Sequence, residues 1–252
     1  MRITFLGTGT SVGVPRIGCD CPVCTSSNPR NKRLRCSILL EHFDHSILVD
    51  TSPDLRLQAL RNDVRNVDAV LYTHSHADHL HGLDDVRVYC FGRDDPLPVY
   101  GDRQTLERIN HVFDYAFDSA WAEGVPRLSP HVMDGDLELF GLQITPVQVL
   151  HGRLPVLAYR VGRFAYVTDC SSIPDASMDQ LRGLDTLVLG ALRHREHPTH
   201  FNVDQALEMV ELLRPRQAFL THIAHDLEHE ETNDYLPEHV ELAYDGLVLD
   251  IS

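Results

Sequence analysis

Residues 69–79, AVLYTHSHADH, join a short apolar run to three histidines and an aspartate. An uninterrupted apolar run of this length is typical of a buried strand, so the polar residues lie on a turn at its carboxyl end. Imidazole and carboxylate groups suit Zn²⁺ and Mn²⁺ as ligands. Because alternate residues of an extended segment point the same way, His74 and His76 can share one ion. Asp78 and His79 lie just past the turn and can reach a second ion.

The composition is ordinary for a globular protein. Of the 252 residues, 43% are hydrophobic and 23% are charged, with no evident repeat, low-complexity tract or linker. We therefore predict a single domain, residues 1–252. The glycine-broken N-terminal segment makes a poor signal peptide, and no apolar run approaches the ~20 residues of a membrane span. These features predict a cytoplasmic protein with no membrane partner.

The charge balance is strongly acidic. Lys and Arg number 22 against 37 Asp and Glu, which gives a formal net charge of −15. Such a field repels long polyanions and disfavours nucleic acid as a partner. Bound divalent cations would reverse the sign locally, so a small phosphorylated substrate remains compatible with this charge.

Strand signals recur along the chain and alternate with a few helical segments. Apolar or alternating runs predict strands at 2–6, 37–42, 46–49, 99–100, 137–139, 144–150, 157–161, 165–168, 186–192, 217–222 and 246–251. Helices are predicted at 104–121, near 178–181, and from Asn202 to Leu213, where Gln205 completes a capping box. Strand-rich halves that are each followed by helices predict two packed sheets with helices outside.

The pattern H-x-H-x-D-H at 74–79 resembles the signature of the metallo-β-lactamase superfamily. The resemblance implies an α/β fold, a four-layer αββα metallo-β-lactamase sandwich, with further metal ligands at the ends of later strands. The sequence offers them in order, because His151 ends TPVQVLH, Asp169 ends FAYVTD and His222 ends AFLTH. Asp50, which ends SILVD, matches an acid that orients metal-bound histidines in this superfamily.

The resemblance also implies how two ions share these ligands. The first ion would take His74, His76 and His151, the second would take Asp78, His79 and His222, and Asp169 would bridge them. A carboxylate bridge between ions ~3.5–4 Å apart suits phosphoester hydrolysis, in which metal-bound hydroxide attacks phosphorus. The cysteine ligand that some β-lactamases place at the second metal is missing, which favours a phosphodiesterase over a lactamase or thioesterase.

Two further segments resemble one branch of the superfamily, the phosphoribosyl 1,2-cyclic phosphate phosphodiesterases. The opening LGTGTSVGVPRIGCDCPVC, residues 6–24, resembles the start of that branch. In HPTHFNVDQAL, His200 precedes the residue that caps the next helix. The branch and ribonuclease Z both carry a histidine at this place. In ribonuclease Z, that histidine is the proposed acid that protonates the leaving oxygen. A positioned imidazole that transfers a proton typically raises the reaction rate by ~10²–10⁴-fold. We therefore assign His200 and Asp78 as catalytic, with His194 and His197 as weaker substitutes for His200.

The function that this resemblance implies is a dinuclear metal-dependent phosphodiesterase acting on a small phosphoribosyl or nucleoside cyclic phosphate. The alternatives are a ribonuclease Z-like tRNA 3′-end endonuclease and a non-catalytic, metal-dependent phosphate sensor. The ligand set suits both Zn²⁺ and Mn²⁺, and relatives in the branch imply a homodimer. Arg193 and Arg195 are weaker candidates for contacts to the substrate phosphate.

The predicted helix at 104–121 is the part of the chain that least resembles the branch. Its aromatic residues Tyr115, Phe117 and Trp121 could form a lid or stack on a base. Core packing or a dimer contact is the favoured interpretation, because aromatic residues at helical spacing mostly serve packing.

Residues 18–24, GCDCPVC, contain three of the six cysteines. A reducing cytoplasm and the odd number of thiols disfavour a disulfide. Three thiolates supply three-quarters of a tetrahedral zinc site, and His225, three residues beyond His222, is the best fourth ligand. The branch resemblance points to the same residue. The predicted site is a closed structural zinc centre formed by Cys19, Cys21, Cys24 and His225. The remaining cysteines are predicted to be inert buried thiols: Cys36, Cys90 and Cys170.

Overall fold

The structure is a computed structural model that describes residues 1–117 and 124–251. Its earlier strands are β1 (Arg2–Gly7), β2 (Ser37–His42), β3 (His45–Val49), β4 (Ala69–Leu71), β5 (Leu97–Gly101) and β6 (Leu128–Val132). Its later strands are β7 (Leu137–Leu139), β8 (Leu142–His151), β9 (Leu154–Val161), β10 (Phe164–Val167), β11 (Thr186–Gly190), β12 (Gln217–Thr221), β13 (Val240–Leu242) and β14 (Val248–Asp250). Its α-helices are α1 (Pro22–Thr25), α2 (Leu55–Arg61), α3 (Ala77–Leu80), α4 (Arg103–Val112), α5 (Asp175–Gln180), α6 (Val203–Leu213) and α7 (His229–Asn233).

These strands form two seven-stranded sheets. The first has the order β14-β1-β2-β3-β4-β5-β6, and the second has the order β13-β12-β11-β10-β9-β8-β7. Strands β3 to β6 are parallel neighbours in the first sheet, and β10 to β13 are parallel in the second. Because parallel strands end at the same edge, each sheet has one edge where the residues after its strands converge.

The central strands of both sheets are buried on both faces, which explains their continuous apolar sequences. In β3, Ile47 and Val49 point into the core between the sheets, whereas Leu48 points into the core beneath the outer helices α2 and α4. Phe219 of β12 meets Phe5 of β1 between the sheets, with ring centroids 6.1 Å apart. Helices α5 and α6 cover the other sheet. The predicted four-layer αββα sandwich is therefore confirmed.

The predicted helix at 104–121 is shorter in the structure. It ends at Val112, because Phe113 leaves helical geometry at φ −122°, ψ 43° and buries its ring in the core outside the first sheet. A 3-10 turn, Asp114–Ala116, follows. Within the described ranges, no helix combines the length and the apolar composition needed to cross a membrane.

The aromatic residues beyond α4 pack against the core. Tyr115 and Phe117 are partly buried against the apolar cluster outside the first sheet. The Tyr115 hydroxyl donates a hydrogen bond to Asp84 at 2.7 Å, which fixes the ring in place. Trp121 lies outside the described residues. The two aromatic residues that the structure describes therefore have a packing role.

Candidate metal centre

Three residues of the candidate centre lie one or two positions after the ends of parallel strands and have strained backbones. Asp50 follows β3, Asp169 follows β10 and His222 follows β12, with φ values of 63°, 47° and 57°. A left-handed conformation at a residue other than glycine costs about 1–3 kcal/mol and is concentrated at functional sites. The strain therefore marks the carboxyl edges of both sheets as the place where side chains converge.

The seven predicted ligands converge there as two groups of donor atoms. In each group, one atom from each residue lies within 4.8 Å of the others. The groups are His74, His76, His151 and Asp169, and Asp78, His79, Asp169 and His222. The structure thus brings together all seven residues in the predicted grouping, with Asp169 common to both.

Asp169 presents a different oxygen to each group. Its Oδ2 lies 3.7 Å from His74 Nε2, in the first group. Its Oδ1 lies 3.4 Å from His79 Nε2 and 3.1 Å from His222 Nε2, in the second group. The Thr168 hydroxyl donates a hydrogen bond to Oδ1 at 2.8 Å and helps to fix the carboxylate. This is the arrangement expected of a carboxylate that bridges two ions.

The buried nitrogens of this centre fit metal ligation. His74 Nε2 and both ring nitrogens of His222 have no hydrogen-bond partner among the described residues. These side chains are only 2% and 1% exposed, and an unsatisfied buried polar atom costs about 1–3 kcal/mol. Burial holds the pKa of His74 well below its usual value, so its imidazole is neutral, as a ligand must be. The donor set therefore fits two divalent cations.

Asp50 orients one histidine of each group. Its Oδ2 accepts a hydrogen bond from His79 Nδ1 at 2.7 Å and another from the Thr73 hydroxyl at 2.8 Å. Its Oδ1 accepts the Thr73 amide at 2.8 Å. The Thr73 oxygen in turn lies 3.0 Å from His74 Nδ1. Since Nδ1 of both histidines is engaged by the protein, Nε2 of both is left for the ions, as the resemblance implied for Asp50.

The Asp169 carboxylate is charged. Burial raises the pKa of Asp169, but His222 and His79 outweigh it and hold that pKa well below the usual value. Burial likewise opposes the charging of His79, yet the carboxylates of Asp169, Asp78 and Asp50 raise its pKa well above the usual value. Divalent ions would supply the positive charge that these carboxylates otherwise draw from a protonated His79.

His200 lies between the two groups. Its side chain is buried, with its ring centroid 4.5 Å from that of His151 and 4.7 Å from that of His222, on which it stacks at 15°. Asn202, two residues later, forms the predicted capping box of α6 with Gln205. Burial, assisted by His222, lowers the pKa of His200 to about 3, so its imidazole is neutral at pH 7. Among the histidines considered as the proton donor, His200 is therefore the one whose ring lies at the centre.

The two substitutes for His200 lie further out on the same loop. The His197 ring is half-buried, 5.1 Å from that of His200. His194 is exposed, and its Nδ1 lies 3.1 Å from the Tyr235 hydroxyl. Neither ring replaces His200 between the two groups.

The two arginines proposed as phosphate contacts have protein partners. Arg193 donates hydrogen bonds to the carbonyls of Arg195 and Glu196 at 3.2 and 3.0 Å. Arg195 lies 3.5 Å from Asp226. In the structure, these side chains organise the loop and its flank.

The cysteine cluster forms a third group of donor atoms. Cys19, Cys21, Cys24 and His225 each offer one atom within 4.8 Å of the others. His225 Nδ1 lies 3.4 Å from Cys19 Sγ and 3.2 Å from Cys21 Sγ. All six cysteines are free thiols, and the hydrogen bond from His225 lowers the pKa of Cys21 to about 6. Three thiols and one imidazole fit a closed tetrahedral zinc site.

This cluster lies on a loop that is paired with the segment carrying His222. Ile223 donates its amide to the Thr8 carbonyl at 2.9 Å, and the Thr10 amide donates to the Ile223 carbonyl at 3.2 Å. Gly9, between Thr8 and Thr10, lies so close to the backbone of Arg33 that an added Cβ would be 2.8 Å from the Arg33 carbonyl oxygen. The loop therefore fixes the backbone of Ile223, the residue that follows His222.

Comparison with known proteins agrees with this geometry. A family model described as a beta-lactamase superfamily domain matches residues 45–223. A solved structure described as a new diphosphatase from the PhnP family is 47% identical, covers 100% of this chain and 98% of that one, and superposes with a TM-score of 0.94. The chain belongs to the metallo-β-lactamase superfamily. The predicted resemblance is confirmed, and the fold is that of a metal-dependent hydrolase.

Two relatives with sequence similarity carry different names. The octanoyltransferase of Porphyromonas gingivalis is 38% identical over 98% of this chain, which spans only 51% of that relative. Coenzyme PQQ synthesis protein B of Methylobacterium radiotolerans is 29% identical over 77% of this chain and 74% of its own. The comparisons therefore establish the superfamily, whose members act on different substrates.

We expect Asp50→Asn to weaken metal binding about 10–100-fold, because a neutral amide holds His79 and Thr73 less firmly than a carboxylate does. Asparagine tolerates the left-handed backbone of this position, so the substitution leaves the strain unchanged. Competition with a chelator measures the affinity. Asp44→Asn, on the exposed turn between β2 and β3, is the matched control, and equal affinities in both variants would contradict the role of Asp50.

We expect Cys21→Ser to lose one zinc ion per chain and to lower the free energy of unfolding by about 2 kcal/mol or more, because zinc at a closed site stabilises the fold directly. Metal analysis and denaturant unfolding measure the two effects, and activity should fall only indirectly. Cys90→Ser, at a buried thiol outside the cluster, should keep its zinc. Full stability of Cys21→Ser without that zinc would refute the structural role.

Proposed function

We propose that this chain is a single-domain, dinuclear metal-dependent phosphodiesterase that hydrolyses a small cyclic phosphate. The observation that carries the proposal is the Asp169 carboxylate, which offers one oxygen to each group of donors. Such a bridge suits phosphoryl transfer, because two neighbouring cations stabilise the attacking and the leaving oxygen together. Either Zn²⁺ or Mn²⁺ is compatible with the seven imidazole and carboxylate ligands.

Different residues of the chain would hold the ions and protonate the leaving group around the bound phosphate. When bound, the two ions would supply an activated water and neutralise the charge on the phosphoryl oxygens. Asp78, whose carboxylate lies 3.3 Å from His79 Nε2, belongs to the second group and faces the same space. The neutral His200 donates an N–H hydrogen bond to the leaving oxygen. A negatively charged substrate raises the pKa of His200, so the ring takes up a proton from solvent when the substrate binds and can then pass it to the leaving oxygen.

A linear diphosphate of a small molecule is the second candidate substrate. The observation that favours it is the 47% identity over nearly the whole length of the PhnP-family diphosphatase. Both substrate classes place a phosphoryl group and an oxygen leaving group at the same centre, so they share the proposed mechanism. They differ in whether the scissile bond is an ester or an anhydride.

The other functions considered have less support. A tRNA 3′-end endonuclease needs cationic contacts to a long polyanion, whereas this chain has a net charge of −15. A non-catalytic sensor would have no need of His200 between the two groups. We further propose that the enzyme works in the cytoplasm, where reduced thiols can hold the structural zinc, and that it forms a homodimer.

Turnover across a panel of phosphates tests the proposal. We expect metal-loaded protein to cleave bis-p-nitrophenyl phosphate and at least one 1,2- or 2′,3′-cyclic phosphate. Metal content is measured on the same sample, so that a failed loading is recognised. Cleavage of nucleoside diphosphates without any cyclic phosphate would select the second candidate. Turnover of neither class by fully loaded protein would refute both, and salt-sensitive binding of precursor tRNA would support the endonuclease.

We expect His200→Ala to lower kcat by about 10²–10⁴-fold on substrates with alkoxide leaving groups, because these need a proton to depart. Esters of p-nitrophenol should lose much less, since their leaving group is stable as an anion. Steady-state kinetics on both substrate types measures the difference. His194→Ala, on the exposed part of the same loop, is the control, and unchanged turnover of alkyl substrates by His200→Ala would remove the acid assignment.

A further inference from the structure

The loop that carries His200 rests directly on the residue after His151. Gly152 has a φ of +63°, and a Cβ added there would lie 2.9 Å from Thr199 Cγ2. Real Cβ atoms essentially never make such a contact, so with any other residue at position 152 either the Thr199 side chain or the loop would have to move. The Gly152 amide donates to Ser171 Oγ at 2.9 Å, which fixes this turn from its other side.

Thr199 also controls the state of His151. Its carbonyl oxygen can only accept, so His151 Nδ1 donates the hydrogen bond that joins them at 2.6 Å. The proton is therefore on Nδ1, and Nε2 is left for an ion. The Thr199 hydroxyl lies 3.2 Å from His197 Nδ1, so rotation of this side chain away from Gly152 would break a second contact.

A displacement of Thr199 has to move His200 as well. The loop is anchored directly after His200, because the Phe201 amide donates to the Cys170 carbonyl at 2.7 Å. The Asn202 side chain donates to the His194 carbonyl at 3.1 Å and closes the loop on itself. The segment between these ties therefore shifts as one unit when its contact with Gly152 changes.

We propose that Gly152 and Thr199 are positioning residues that hold a metal ligand, His151, and the proton donor, His200, in one fixed arrangement. Neither touches the substrate, and both act through the two histidines. The effect on His151 concerns metal affinity alone, whereas the effect on His200 rests on the proposed phosphodiesterase function. The two effects can therefore be measured separately.

The test is Gly152→Ala. Chelator competition should show that one of the two ions binds about 10-fold more weakly or worse, since His151 loses its fixed partner. At saturating metal, kcat on an alkyl phosphodiester should fall by about 10-fold or more, while kcat on a p-nitrophenyl ester changes much less. The second readout separates a displaced acid from a general loss of structure.

Two matched variants complete the experiment. Gly162→Ala, in the turn between β9 and β10, adds a methyl group at a similar φ of +58° with no atom within 4 Å, and should behave as the parent protein. Gly152→Ala combined with Thr199→Ser removes the crowded methyl group, keeps the carbonyl and the hydroxyl, and should restore metal affinity. Equal metal affinities of Gly152→Ala and Gly162→Ala, or no rescue by Thr199→Ser, would overturn the proposal. A parent protein inactive on every phosphate would refute the proposed function, and the metal affinities would still decide this inference.

Discussion

One carboxylate, that of Asp169, determines how the two halves of the molecule have to meet. It faces His74 with one oxygen and His222 with the other, so donors from both sheets must lie within a few ångströms of it. His74 follows a strand of the first sheet, whereas Asp169 and His222 follow strands of the second. The core between the sheets, where Phe5 packs on Phe219, therefore sets the geometry of the centre as well as the stability of the fold.

The strained backbones at Asp50, Asp169 and His222 follow from the same requirement. Glycine would adopt their positive φ values without cost, but glycine offers no carboxylate or imidazole. Each strained residue costs about 1–3 kcal/mol. The strands that lead into them are fully buried at their ends, and each large apolar side chain buried there contributes about 1.5–3 kcal/mol in the opposite direction. The strain is retained because the surrounding core determines the backbone path.

The sequence predicts best where a strand and its polar end are neighbours along the chain. THSHADH and the ends of VQVLH, AYVTD and AFLTH could be located because an apolar run leads straight into a metal-binding type of residue. The local pattern does not predict β6 and β13, since β6 is largely exposed and contains a proline, and β13 is only three residues long. Both exist because a neighbouring strand pairs with them, which local pattern does not reveal. The end of α4 at Phe113 and the contact of Gly152 with Thr199 likewise depend on residues distant in sequence.

The N-terminal loop shows how a part of the fold outside the centre can still govern its chemistry. Besides the cysteine cluster, the loop is held by Asp245, whose carboxylate accepts the Thr8 amide and hydroxyl at 2.9 and 2.8 Å. Burial raises the pKa of Asp245 to about 7, so this anchor is maintained against a desolvation cost. The Thr8 carbonyl in turn accepts a hydrogen bond from the Ile223 amide. The pairing with Ile223 fixes the backbone next to His222, whose ring is further held by stacking on His200 and by its approach to Asp169.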